Sequence, residues 1–274
     1  MKRKEHAMTT RFTIESNREY WEDPNTISII DSNLHALEID YVSKHLRPEH
    51  IIADIGCGNG NATLKYAERV KYCYGIERSK LLRDQASRAL QLSRQRNVAF
   101  REGDILDLSD YKENFDVVVT QRVLINLPSW ELQARAIDNV YRCLKKGGLY
   151  ILVENTNDGN DIMNAYRKKV GLQPISVHWH NRFLDFDVFM RHIDKKFRLI
   201  ERHGFNLYYL LTRIYVQMFA SFVGSGKNAQ ADDIFSKSDR AARILFEEIG
   251  DRIVFADNPV LGPIQGIVLQ RLQP

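Results

Sequence analysis

The sequence predicts an α/β fold with a doubly wound, mainly parallel sheet, and three observations point to it. Short apolar runs alternate with segments of helical periodicity through the first half of the chain. The runs are apolar at consecutive positions, as strands covered by helices on both faces are. The first of them turns directly into a glycine-rich loop, Gly56-Cys57-Gly58-Asn59-Gly60, with a helical pattern behind it.

In chain order, residues 11–33 read as polar and irregular, and Leu34, Leu37, Tyr41, Val42 and Leu46 then recur at helical spacing until Pro48. A strand is expected at Ile51–Ile55, a helix from about Asn61 to Val70, a strand at Tyr72–Ile76 and a helix at about Ser79–Arg94. Strands at Val98–Arg101 and Phe115–Thr120 follow, and the alternation implies right-handed crossovers. Ile137, Val140, Tyr141 and Leu144 mark a helix that is expected to stop at Lys145-Lys146-Gly147-Gly148, with a glycine as left-handed C-cap and the lysines at the negative helix end. A fifth strand, Leu149–Val153, ends at Glu154. A sixth is placed at Arg198–Phe205 and the last at Ile264–Leu272.

The 274 residues, 44% of them hydrophobic, suit one large domain with insertions. It divides into an N-terminal lid and helix at 1–48, a ligand-binding core at 49–155 and a substrate-binding half at 156–274. The last two strands are separated by an insertion at about 206–262, with a helix expected near Ser238–Ile249. The apolar stretch Phe205–Val223 is broken by Arg213 and Gln217, so it reads as a lid or pocket helix rather than a membrane span.

The 39 Lys+Arg and 35 Asp+Glu are interspersed, for a net charge of +4, which gives no basic arm for a nucleic acid. Cys57, Cys73 and Cys143 form no C-x-x-C pair, so neither a disulfide framework nor a zinc site is expected. No apolar stretch follows Lys2, Arg3 and Lys4, so a cytoplasmic location is expected.

The glycine loop lets the backbone approach a ligand closely at a helix N-terminus. In the nicotinamide fingerprint G-x-G-x-x-G the third glycine comes three residues after the second. Here it comes two after. Asp54 beside the loop repels a pyrophosphate and favours a cationic ligand. Glu77, 21 residues beyond Gly56, is placed to accept both hydroxyls of a ribose.

Over roughly 51–153 these residues resemble the class I S-adenosylmethionine (SAM)-dependent methyltransferases. Asp54, Gly56, Cys57, Gly58, Asn59 and Gly60 look like the first motif of that family, and Glu77 like its ribose-binding acid, with Arg78 beside it. Gly103-Asp104-Ile105 resembles the segment whose Asp accepts from the adenine amino group while the next residue packs on the ring. Phe115–Val118 and Leu144–Gly148 resemble the fourth strand and the turn before the fifth, with Gln121 counted in the cofactor site. The resemblance implies SAM as cofactor. It also implies a Rossmann-like doubly wound seven-stranded sheet of order 3-2-1-4-5-7-6, the last strand antiparallel and a helical insertion between the last two.

Methyl transfer to a hydroxyl needs a base, sought beyond strands four and five. His180 is the first candidate, with an unperturbed imidazole pKa of about 6.5. A histidine hydrogen-bonded within its loop is the alternative, and His178 is the second candidate. This His-x-His pair has no third ligand at a recognisable spacing, so no metal is expected. Arg122 either clamps an anionic acceptor or pairs with a carboxylate to fix its loop. Asn126 is a candidate to orient the acceptor, Glu154 to bind it or act as a second base, and Trp179 and Asn181 to contact it. Asn155, Asn164 and Arg167 read as helix-start and surface groups. Tyr20-Trp21 either closes over the cofactor or packs a surface loop.

The Asn/Asp-Pro-Pro-aromatic motif of base-amino methyltransferases is missing after strand four, where Gln121-Arg122-Val123 stands. The segment 121–128, the Gly-Gly turn and the Trp179-His180-Asn181 loop look like methyltransferases of bacterial surface-polysaccharide and secondary-metabolite pathways. That similarity implies O-methylation of a sugar or other small hydroxylated or anionic metabolite. A small-molecule N-methyltransferase and a non-catalytic SAM-binding protein are the alternatives. The expected partner is a small-molecule acceptor, with a homodimer as the candidate assembly, no nucleic acid and no membrane span.

Overall fold

The computed structural model describes residues 12–26, 30–112, 114–223 and 260–273, together with the isolated helical positions 239, 243, 244 and 247. Seven strands form one sheet: β1 Ile51–Ile55, β2 Tyr72–Glu77, β3 Val98–Glu102, β4 Phe115–Gln121, β5 Leu144–Asn155, β6 Phe197–Gly204 and β7 Ile264–Arg271. Their order is β3-β2-β1-β4-β5-β7-β6. The first five run parallel, while β7 lies antiparallel between β5 and β6, as expected.

Successive residues of the central strands feed opposite faces. Ile52, Val117, Val119, Ile151 and Val153 join one core and Ala53, Ile55, Val118 and Leu152 the other. Both faces being covered, the strands read as unbroken apolar runs. The covering helices are α1 Ile14–Glu22, α2 Ser32–Ser43, α3 Asn61–Ala67, α4 Lys80–Leu92, α5 Trp130–Cys143, α6 Asn157–Lys169 and α7 Phe186–Ile193. Asp31, Ser79, Ser129 and Asp185 cap α2, α4, α5 and α7 through their side-chain oxygens, each satisfying an N–H of the first turn.

Several expectations are corrected. Residues 14–22 are helical, closed at the start by a reciprocal Thr13–Ser16 capping box. With Asn17 its one buried residue, α1 has no apolar stripe to betray it. Gly147 is left-handed, with φ 75, but it caps no helix: α5 ends at Cys143 and Leu144 already pairs with Phe115. The register then jumps to Val117↔Leu149, so Lys145–Gly148 is an excursion within β5, anchored by Lys145 Nζ donating to Asp116 at 2.8 Å.

Phe205–Val223 forms α8 Asn206–Tyr209, a π-helical turn Leu210–Tyr215 and α9 Val216–Val223. Its Leu207, Tyr208, Tyr209 and Ile214 pack into the core beside α2, and no described side chain of 205–223 lines the cavity described below. Arg167 is buried rather than on the surface. Apart from the four isolated positions, the helix expected near 238–249 lies outside the described residues. Among the described residues no helix is long and apolar enough to cross a membrane.

Candidate active site

A cavity of about 310 Å³ opens at the carboxyl edge of the sheet. Its walls come from the loops after β1, β2, β3 and β4, from α1 and His35 of α2, and from the segment carrying His178, His180 and Asn181. Ligand sites of doubly wound sheets lie at this edge, where the strand order reverses between β1 and β4.

The β1 loop turns through Gly56, Gly58 and Gly60, at φ 71, 57 and 80. Gly56 N–H donates to Ile76 O at 2.7 Å, tying the loop to β2. A Cβ on Gly60 would lie 2.5 Å from Phe100 Cζ, whereas one on Gly58 would meet nothing within 4 Å. Gly60 therefore serves packing, and Gly58 leaves room on the ligand side.

Asp54, buried at the end of β1, accepts from Thr63 Oγ1 at 2.6 Å, and burial pushes its carboxyl up to about 6. Glu77 accepts from Gly58 N–H at 2.9 Å and Ser79 N–H at 2.7 Å, and burial raises its pKa as well. Asp104 accepts from Leu106 N–H at 3.0 Å and faces Arg18 at 3.4 Å and Arg78 at 3.7 Å. Gln121 Oε1 accepts from Tyr66 hydroxyl at 2.9 Å, which leaves its buried Nε2 without a partner. Burial raises the Cys57 thiol far above its usual value, so it stays protonated.

These groups suit SAM. Asp54 offers a desolvated carboxylate to a cation, Glu77 keeps lone pairs for a ribose diol, Ile105 is an apolar wall and Gln121 Nε2 is an unused donor.

At the other end Arg122 occupies left-handed backbone, φ 54, and its Nη2 lies 3.2 Å from Glu38 Oε2 and 3.3 Å from His35 Nδ1. Asn126 lines the cavity with both amide ends engaged: Nδ2 donates to Arg122 O at 2.6 Å, and Oδ1 accepts from Asn17 and Trp21 at 3.3 Å each. It thus ties the β4 loop to α1. His180 stacks on Tyr20, ring centroids 4.2 Å apart, with Nδ1 buried and unpartnered. His178 stacks on His180 at 5.7 Å.

Two expected site residues are corrected. Glu154 is fully buried and does not line the cavity. Its carboxylate accepts from the N–H groups of Val123, Leu124 and Ile125 at 2.8, 2.9 and 3.3 Å, so it positions the β4 loop and meets no acceptor. Trp179 lies outside the cavity lining, half exposed, edge-on to Tyr20 at 5.7 Å. Thr63, Tyr66, His35 and Glu38 go unmarked by any motif. For the last two the available signal was a polar pair three residues apart on the apolar face of α2. No group of three or more metal-ligating side chains occurs among the described residues.

The sheet order, the glycine loop after β1 and the acid after β2 resemble those of the class I SAM-dependent methyltransferases, the class whose cofactor is SAM. Residues 52–148 match the family described as a methyltransferase domain. The chain is 23% identical over 159 residues to the uncharacterized methyltransferase YcgJ of Bacillus subtilis, covering 58% of this chain and 60% of that one. It is 30% identical over 136 residues to the uncharacterized methyltransferase C1B3.06c of Schizosaccharomyces pombe, covering 47% and 44%. The match therefore spans about half the length of these curated relatives. The crystal structure of YcgJ superposes with a TM-score of 0.56 at 17% identity, over 88% of this chain and all of that one. The [4+2]-cyclase SpnF superposes with a TM-score of 0.53 at 17% identity, over 86% and 81%. At these identities the likenesses establish the fold.

Proposed function

We propose that the protein transfers the methyl group of SAM to a small hydroxylated or anionic acceptor, a sugar or comparable metabolite, with His180 taking the acceptor proton. One observation carries this: a single cavity joins the glycine loop and its two carboxylates to Arg122, His178 and His180 under α1. When bound, SAM supplies an electrophilic methyl group for in-line displacement.

Asp54 and Glu77 hold the cofactor end, and the left-handed turn at Arg122 presents the β4 loop to the acceptor. Burial and the neighbouring His178 hold the His180 imidazole below its usual pKa, so it is neutral at physiological pH and ready to accept a proton. Stacking on Tyr20 fixes the plane of the ring. The Arg122 guanidinium has five N–H donors, more than Glu38 and His35 use, and the rest suit a phosphate or carboxylate on the acceptor.

Calorimetric titration with SAM and its demethylated product, with Asp54→Ala and Glu77→Ala alongside, tests the cofactor site. Binding lost in both variants supports it, and failure of the folded wild type to bind either ligand overturns it. Acceptor screening with His180→Ala then tests the base: a hydroxyl acceptor loses turnover and an amine acceptor keeps it. The shared fold of a [4+2]-cyclase gives substance to a second reading, SAM binding without methyl transfer. A protein that binds SAM and methylates no acceptor is the outcome that reading requires.

A further inference from the structure

Two buried nitrogens on the cavity wall have no partner. They are Nε2 of His35, a residue of α2 only 8% exposed, and Nε2 of Gln121 at the end of β4, and both side chains line the cavity. Arg122 joins them: it follows Gln121 in the chain, and its Nη2 meets His35 Nδ1 at 3.3 Å. Both nitrogens are donors. The Tyr66 hydroxyl, which burial keeps protonated, donates to Gln121 Oε1 at 2.9 Å, so the amide turns its NH2 the other way. A guanidinium can only donate, so its contact with Nδ1 assigns the ring proton of His35 to Nε2. Glu38 Oε2, 3.2 Å from the same Nη2 and 3.4 Å from Nδ1, completes the triangle and holds the guanidinium against the ring.

Buried donors without an acceptor are uncommon in native proteins, and two of them on one cavity wall call for ligand oxygens. The sheet order says which oxygens. It sets the loops after β3, β2, β1 and β4 side by side. Adenine at Asp104 after β3 and ribose at Glu77 on β2 take the first two, so the amino acid end of the cofactor falls to the last two, where Asp54 and Gln121 stand. Burial raises the Asp54 carboxyl, and the groups that draw it back down are Thr63 and the His35 ring, so His35 stands at this end as well. An α-amino acid group carries an ammonium and a carboxylate on one carbon. Asp54 suits the first and the two donors suit the second. Glu38, the other buried carboxylate here, is offset by Arg122 and does not repel the ligand.

We propose that His35 and Gln121 bind the carboxylate of the cofactor's amino acid end, with Glu38 acting through Arg122 as the positioning residue that keeps the His35 proton on Nε2. The inference rests on the methyltransferase reading, and it makes the site selective for the amino acid group as well as for the nucleoside.

The test is calorimetric titration of the full chain with S-adenosylhomocysteine and with 5′-methylthioadenosine, which keeps the nucleoside and the sulfur but has no amino acid group. The wild type is expected to bind the first at least roughly tenfold tighter. His35→Leu is expected to weaken S-adenosylhomocysteine roughly tenfold and to leave methylthioadenosine within about twofold. His35→Gln, whose amide offers an N–H at the same reach, should recover most of that loss. Long-range proton–nitrogen spectra of the histidine side chains should show an imidazole protonated on Nε2 that disappears in His35→Leu, shifts with S-adenosylhomocysteine and stays put with methylthioadenosine. In Glu38→Gln the same imidazole should show an admixture of the other tautomer. Loss of both ligands alike in His35→Leu would mean that the ring only supports the wall, and the proposal fails. A wild type that binds the two ligands equally overturns the carboxylate site and leaves the methyltransferase reading standing. A folded wild type that binds neither removes that reading and this inference with it.

Discussion

Arg122 Nη2 lies 3.2 Å from Oε2 of Glu38, a carboxyl group with no solvent exposure, so the residue that follows β4 is locked to the middle of α2. The lock also holds Arg122 in left-handed backbone that an L side chain rarely adopts. Removing one partner strands a charge. Glu38→Ala should cost about 3 kcal/mol of stability, and Arg122→Ala a comparable amount by leaving Glu38 buried alone. The double variant should lose less than the two together. Denaturant unfolding of the cycle measures this, and strictly additive losses would show that the pair is incidental.

Glu154 gives the protein a pH dependence of definite sign. Burial lifts its carboxyl from 4.5 to about 7, so the native state holds this proton more tightly than the unfolded chain does. Stability therefore falls as pH rises from the unfolded value through the folded one, by something on the order of 3 kcal/mol. Asp54, raised to about 6, acts in the same direction. Glu154→Gln cannot ionise and should flatten the fall between about pH 5 and pH 8, leaving the smaller slope from Asp54. It should also be less stable at the acid end, since one of the oxygens that hold Val123, Leu124 and Ile125 becomes a donor. Melting curves across this range decide the matter, and an unchanged slope in the variant would refute the assignment.

Gly58 and Gly60 separate the ligand side of the loop from its packing side. A methyl group at Gly58 has open space around it but enters the cavity, so Gly58→Ala should lower SAM affinity by roughly tenfold or more. The stability it loses should be only the roughly 1 kcal/mol of left-handed strain. At Gly60 the methyl group would collide with Phe100 Cζ at 2.5 Å and touch Ala86 Cβ at 3.0 Å, so Gly60→Ala should cost about 2 to 4 kcal/mol of stability. Paired calorimetry and thermal melts should show the two losses falling on different quantities.

The half of the cavity built by the glycine loop was legible in the sequence because its marks are local. A strand, a glycine loop and an acid after the next strand are separated by fixed spacings, and the fold then brings them to one edge. The strand order came with the family resemblance, since nothing in the spacing places β7 between β5 and β6. The half beyond β4 was less legible, because side-chain direction decides there. Glu154 ends a strand beside the site, yet the β4 loop folds back over its carboxylate and takes it out of the cavity. Likewise Glu38 and Arg122 are distant in the chain and meet only once the fold brings α2 to the residue after β4. Gly147 misled for a related reason: a left-handed glycine after a helix reads as its cap, whereas here the strand has already begun.

The helix that left no apolar signal, α1, buries little of itself and is a candidate to open. Asn17 is its one buried residue; besides the packing of Ile14 and the stacking of Tyr20 on His180, polar contacts hold it: Ser79 Oγ donates to Trp21 O at 3.3 Å, Glu22 accepts from Lys80 N–H at 3.0 Å, and Trp21 Nε1 donates to Asn126 at 3.3 Å. Ser79 and Lys80 stand at the start of α4 beside Glu77, and Asn126 stands in the loop after β4, so α1 bridges the two ends of the cavity and its opening is expected to couple to occupancy of the site. Segments with few buried apolar contacts open at low free energy without global unfolding. Trp21→Ala should therefore speed SAM release several-fold while costing only about 1 kcal/mol of global stability, the centre of the range for single substitutions. Glu22→Gln should act in the same direction and more weakly, because it removes a charge from the α4 N-terminus worth about 0.3–1 kcal/mol. Stopped-flow displacement of SAM reads the release rate directly. A rate unchanged in both variants would mean that α1 roofs the cavity without gating it.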